Sequence, residues 1–117
     1  MYTRNVESPK PKKGDILFSR LGTYNTEIRY YMVIKTYGKS VVVAELEKTE
    51  IDVYRDDRYP ASLKGKVLPT ETQADGLCTS YHGRYHPHSK TEYSVSLNRY
   101  ETAYTWHGEA LHFSKVI

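Results

Sequence analysis

Four residues in the segment CTSYHGRYHPH have side chains that ligate metals: Cys78, His82, His86 and His88. The spacing Cys-x3-His-x3-His-x-His offers thiolate and imidazole donors of the kind zinc takes in a tetrahedral site. It matches no common zinc finger, and Pro87 stiffens the chain between two of the donors. The competing reading is a polar, exposed loop rich in histidine, and on that reading no metal and no cofactor is expected. Cys78 near a histidine is also the minimum for a thiol nucleophile, but no third group that would orient the histidine is visible. Asp56 and Asp57 are adjacent, so on a strand they point to opposite sides, and they read as a solvated turn. There is no glycine-rich phosphate loop and no dinucleotide fingerprint. The chain is expected to work without catalysis, with a metal-dependent enzyme built on the Cys/His loop kept as an alternative.

The other chemistry in the sequence is recognition. Twelve Tyr accompany two Phe and one Trp, and basic residues interleave with them: Arg29-Tyr30-Tyr31, Tyr54-Arg55, Arg58-Tyr59, Arg84-Tyr85 and Arg99-Tyr100. Tyr stacks on unpaired bases while Arg meets phosphate. The same two residues are the usual anchors of protein interfaces, and they also serve as ordinary cross-strand pairs.

The elements that must position these residues are short strands. Ile28–Tyr37 alternates, with Ile28, Tyr30, Met32 and Ile34 on one face and Arg29, Tyr31, Val33, Lys35 and Tyr37 on the other. Gly38-Lys39 suits a two-residue type II′ turn, and the valine-rich Ser40–Glu47 returns as the partner strand. Ile16–Phe18, Thr49–Tyr54 (Ile51 and Val53 inward), Lys66–Leu68 and Thr91–Asn98 read as further strands. Ala103–His107 and Ala110–Phe113 read as a closing hairpin around Gly108-Glu109. Residues 70–90 are polar, carry Gly76, Gly83 and Pro87, and read as a long loop. No amphipathic helix or internal repeat is visible. The expected fold is all-β, a small barrel or strongly bent antiparallel sheet in a single domain over residues 14–117.

Residues 1–13 read as a flexible basic N-terminal arm, in which Pro9 and Pro11 alternate with Lys10 and Lys12. Arg4, Lys10, Lys12 and Lys13 against Glu7 give this arm the whole net charge of +3, and the remainder is neutral by count. A body without charge excess is a poor dedicated nucleic-acid binder. Weak nucleic-acid contact is therefore assigned to Lys10, Lys12 and Lys13, with a nucleic-acid-binding small barrel as an alternative function. The single cysteine rules out an intrachain disulfide and fits a reducing cytoplasm. No apolar run approaches the roughly 20 residues of a membrane helix, and no membrane partner is expected.

Two stretches resemble a family of small proteins of bacteriophages and other mobile elements. In GDILFSRLGTYNTEIRYYMVIKTYGKSVVV, the residues Gly14, Asp15, Ile16, Gly22, Thr26, Ile28, Tyr30, Tyr31, Val33, Lys35, Gly38, Lys39, Ser40 and Val41 match that family's opening. There Gly-Asp-Ile-Phe leads through a Trp-Gly-Tyr-Asp-Gln-Thr-Asn loop to a Phe-Tyr strand and a Gly-Lys-Thr-Val turn. Tyr100, Ala103, Trp106 and Gly108 are similar to its closing Tyr-x-x-Ala-x-x-Trp-Asp-Gly segment. The departures are Leu21 in place of Trp, Thr23-Tyr24-Asn25 in place of Tyr-Asp-Gln, and His107 in place of Asp. The resemblance implies a mobile-element origin and no catalytic residues. From that origin follows the expected role: a binding protein in the host cytoplasm that antagonises a host protein, such as a CRISPR-type defence nuclease. The chain departs most in the loop before the second strand, where Tyr24 adjoins the strand face that alternation gives to Arg29 and Tyr31, so the expected partner-binding residues are Tyr24, Arg29 and Tyr31.

Overall fold

A computed structural model describes residues 10–73, 80–89 and 91–116. Eight strands run in the order β1 (Ile16–Leu21), β2 (Glu27–Tyr37), β3 (Ser40–Asp56), β4 (Tyr59–Gln73), β5 (Ser80–Pro87), β6 (Tyr93–Asn98), β7 (Glu101–Thr105) and β8 (Leu111–Val116). The described residues contain no helix, and every strand pairing is antiparallel. The fold is all-β. β1, β2, β3, β5, β6 and β7 pair in sequence around a closed ring, because β2 bonds to both β1 and β3 while β7 bonds back to β1.

The expected hairpin is present. Tyr37 pairs with Ser40, and Gly38 takes a φ of 61°. Positive φ at this first turn position and not at Lys39 fits type II′, which glycine enters without steric cost. The face assignment holds from Ile28 to Val33 and then fails. The register shifts between Val33 and Lys35, so Ile34 is an extra residue and everything after it is turned over. Lys35 and Tyr37 therefore leave the face that carries Tyr31 and Val33.

Both faces of β2 are covered. Tyr31 and Val33 enter the ring with Leu17, Val41, Val43 and Val95. Ile28 and Tyr30 point out of the ring into a second core with Leu46, Val67, Leu111 and Phe113. β3 makes this possible by its length: residues 40–44 pair with β5, and residues beyond 46 pair with β4. At seventeen residues β3 is the longest strand. β4 and β8 then fold over the outer side of β2, fixed by mutual backbone bonds between Thr26 and Ser114 at 3.0 and 3.1 Å.

Several sequence expectations are corrected here. The proposed closing hairpin does not form. β7 already has β6 on one side and β1 on the other, so β8 pairs with β4 instead. Residues 70–90 are not one loop: β4 runs to Gln73 and β5 starts at Ser80. Lys66–Leu68 is the middle of a 15-residue strand. Pro69 is accommodated within it, opposite Lys48 and beside a register shift between Leu46 and Lys48. Val53 is exposed rather than inward, because Asp52 adopts a φ of 53° in a bulge and breaks the alternation. Gly65 faces that bulge, with no room for a Cβ between Phe113 and the Ile51 carbonyl.

Candidate recognition surface

The three expected partner-binding residues do not share a face. Tyr31 is fully buried inside the ring. Its hydroxyl donates to Glu101, and its ring packs edge-on against Tyr81 at 5.8 Å. Alternation along β2 puts Tyr31 on one face with Arg29 but cannot reveal that the sheet closes on itself and turns that face inward. Arg29, on the same side of β2, stands at the mouth of the ring and is half-buried. Its Nε donates to Glu27 at 3.1 Å, and its guanidinium meets Glu101 at 3.5 Å.

Glu101 is the centre of this polar plug. It is buried, and its Oε2 also accepts from the Ser19 hydroxyl at 2.6 Å. A buried carboxylate needs this set of donors to offset its desolvation. Burial, then the neighbouring Glu101, pushes the Tyr31 hydroxyl pKa up. Burial works against the Arg29 charge, but Glu27 and Tyr31 outweigh it and hold the guanidinium pKa above its ordinary value. Burial also raises the carboxyl of Glu45. The cluster closes one end of the ring and holds Arg29 in place, which makes Arg29 a poor anchor for a partner.

Tyr24 is different. It lies on the β1–β2 turn and is 95% exposed. The turn is tight: Gly22 has a φ of 110°, and a Cβ there would lie 1.9 Å from the Asn25 carbonyl oxygen. A second exposed tyrosine lies at the same end of the ring. β1 and β7 pair antiparallel, Leu17 with Thr105 and Phe18 with Tyr104, so the end of β1 and the start of β7 lie at the same end of the ring. The β1–β2 turn and the β6–β7 turn therefore leave neighbouring strands at the same end. The latter carries Tyr100, which is 83% exposed, and Arg99, and is closed by the Tyr100 amide donating to Asn98 Oδ1 at 2.8 Å. In the sequence Tyr100 stands out as one of five Arg–Tyr groups and as the start of the closing Tyr-x-x-Ala-x-x-Trp segment, neither of which places it on this surface. Its placement at the Tyr24 end of the ring depends on the pairing of β1 with β7, strands distant in sequence.

The other flank of the Tyr24 turn borders a groove of about 380 Å³. Asn25 and Thr26 form its near wall, Ile28, Val67 and Phe113 its floor, and Lys48, Glu50 and Lys115 its rim. Lys115 bridges to Glu50 at 2.8 Å across the mouth. Lys48 donates to the Ile28 carbonyl, where β2 has turned away from β3 toward β8.

The remaining candidates are dispersed. Lys10, Lys12 and Lys13 are exposed, but Pro11 between them is buried. Lys12 exchanges backbone bonds of 3.0 Å with Asp15, through its amide to Oδ2 and its carbonyl from the Asp15 amide. Packed structure thus reaches back to Pro11, earlier than the expected arm boundary at residue 13. Cys78 lies outside the described residues. His82 and His86 project from the same outward face of β5, about 13 Å apart along the strand. His82 Nδ1 meets the Tyr37 hydroxyl at 3.2 Å, and His88 Nε2 meets Ser94 Oγ at 2.8 Å. Among the described residues, no three His, Cys, Asp or Glu are grouped to hold a metal ion. Asp56 caps the β3–β4 turn by accepting from the Arg58 amide at 2.9 Å and pairs with Lys64 at 2.8 Å.

Comparison with protein-family models, with curated proteins and with solved structures finds no match to this chain.

Proposed function

We propose that this chain is a non-enzymatic protein-binding module whose recognition surface is the end of the ring bearing Tyr24, Tyr100 and the adjoining groove. The observation that carries this reading is the pair of tyrosine rings, 95% and 83% exposed, on neighbouring turns. An exposed tyrosine has apolar surface to bury, a hydroxyl to hydrogen-bond and few rotamers to lose, which suits an interface anchor. A groove with an apolar floor beside such a knob gives a partner both a protrusion to enclose and a pocket to fill. The partner proposed from the family resemblance is a host protein, with antagonism of a defence nuclease in the host cytoplasm as the specific role.

The test compares captures from bacterial host lysate by the wild-type chain and by the double variant Tyr24→Ala/Tyr100→Ala, read by mass spectrometry. One host protein enriched by the wild type and lost by the folded double variant is the expected result. Where that protein is a defence nuclease, added chain should suppress its cleavage. Identical captures by both proteins would remove this surface from consideration. Recovery of nucleic acid instead, released by salt, would favour the nucleic-acid reading.

A further inference from the structure

At the opposite end of the ring, two short turns face each other. In the first, the Glu92 carbonyl accepts from the amides of His88 at 2.9 Å and Ser89 at 3.2 Å. In the second, Trp106 Nε1 donates to the Glu109 carbonyl at 2.6 Å, and the His107 amide donates to Glu109 Oε1 at 3.2 Å. His107 Nε2 reaches Glu92 Oε2 at 3.1 Å and ties the two turns together. Between them lies a cavity of about 240 Å³ lined by Phe18, Tyr93 and Tyr104 and edged by Glu92 and Glu109, with the Phe18 and Tyr104 rings on its side of the sheet. Phe18 and Tyr104 pair across β1 and β7, with ring centroids 6.1 Å apart and planes at 41°.

Charge, ring chemistry and size agree on what fits. Among the described residues, Glu92 and Glu109 line the cavity and no Lys or Arg does. Each carboxylate is positioned through one oxygen by His107. Aromatic faces carry negative quadrupole density and attract cations. Phe18 already shows this, with the Arg20 guanidinium 5.7 Å from its centroid. A volume of 240 Å³ is below the range of pockets for drug-sized molecules, so a single head group fits better than a larger scaffold.

We infer that this cavity binds an organic cation: the guanidinium or ammonium group of a basic side chain or of a free amine. The carboxylates supply the ion pair, and the Phe18 and Tyr104 rings supply the faces on which the cation rests. The site is distinct from the Tyr24 surface and does not depend on it.

The experiment is an amide-resolved NMR titration of the full chain with N-acetyl-arginine amide. N-acetyl-citrulline amide, which keeps the shape and loses the charge, is the control. Saturable millimolar shifts at Glu92, Tyr104 and His107 are expected with arginine and absent with citrulline. Glu92→Gln keeps an acceptor for His107, and its melting temperature should match the wild type. It should bind about fivefold more weakly, the worth of one unit charge near 4 Å in water. Tyr104→Leu should weaken binding while leaving the His107–Glu92 contact between the turns intact. A short arginine-containing peptide binding more tightly than the free amide would identify a protein side chain as the source. Equal binding would identify the free group as sufficient. Absence of saturation with both, equal shifts from citrulline, or unaltered affinity in Glu92→Gln would overturn the inference.

Discussion

Tyr30 and Tyr31 are neighbours in sequence, and their hydroxyl groups end in different cores. Tyr30 passes through the outer layer and donates to the Val67 carbonyl at 2.7 Å, while Tyr31 enters the ring and donates to Glu101. Both residues are fully buried. β2 is thus the shared wall of the two cores, and its pleat, which sends successive side chains to opposite faces, divides them.

Removing either hydroxyl leaves a buried acceptor short of a donor. Tyr30→Phe and Tyr31→Phe should each cost about 1–2 kcal/mol, measured by urea unfolding. Because the two rings share no partner, the double variant should equal the sum of the singles within about 0.5 kcal/mol. A larger deviation would mean that the two cores are coupled through the strand.

The same tyrosines set the alkaline limit of the fold. Burial raises the hydroxyl pKa of Tyr30 from 10.0 to about 12. Tyr31 and Tyr93 are also raised, by burial and then by the carboxylates of Glu101 and Asp15 respectively. A pKa raised in the folded state means that the unfolded chain gives up its proton first. Stability is therefore full below pH 10 and falls as pH rises through the folded value of Tyr30 near 12. Phenolate absorbance and circular dichroism followed together should show an early step from exposed tyrosines with the fold intact. A later step should coincide with unfolding. Complete phenolate formation in a folded chain would refute this.

Where the sequence was legible, the reason was local. The β2–β3 hairpin was marked by alternation and by a glycine that the turn needs at a φ of 61°. β5 was missed because its inward positions are Tyr81, Gly83 and Tyr85, set among outward His82, Arg84 and His86, so no apolar period stands out. Gly83 is there because β6 comes close: a Cβ would meet the Ser96 carbonyl oxygen at 2.6 Å. The fates of β8, Tyr31 and Tyr100 depended on which strands pair at long range. Tyr24 was identified correctly as an exposed turn residue. Arg29 and Tyr31 were not, because closure of the ring turns their face inward.

The Tyr24 turn depends on Gly22. Its φ of 110° disfavours any side chain, and the Asn25 carbonyl oxygen occupies the space a Cβ would need, at 1.9 Å. Gly14→Ala meets a comparable φ of 97° with nothing within 4 Å of the added atom. Gly14→Ala should therefore cost about 1 kcal/mol from backbone strain alone. Gly22→Ala should cost more and should also displace Tyr24, visible as amide shifts across residues 22–26. Equal costs for the two variants would show that the turn can relax away from the clash.

The last prediction concerns how Tyr24 and Tyr100 divide the work of binding. Neither ring supports the core, since both project from turns whose backbone is closed by Gly22 and Asn98. Tyr24→Ala and Tyr100→Ala should each leave unfolding free energy within about 0.5 kcal/mol of the wild type. Against the captured partner, each should cost about 2 kcal/mol, roughly thirtyfold in affinity, as interface anchors do. Tyr31→Phe should do the reverse, lowering stability and leaving affinity nearly unchanged, because its hydroxyl faces Glu101 inside the ring. The double variant Tyr24→Ala/Tyr100→Ala should lose less than the sum of the singles if one partner surface covers both rings, since each truncation loosens the contact made by the other. Strictly additive losses would place the rings in separate contacts. Wild-type affinity in both single variants would move the recognition surface away from this end of the ring.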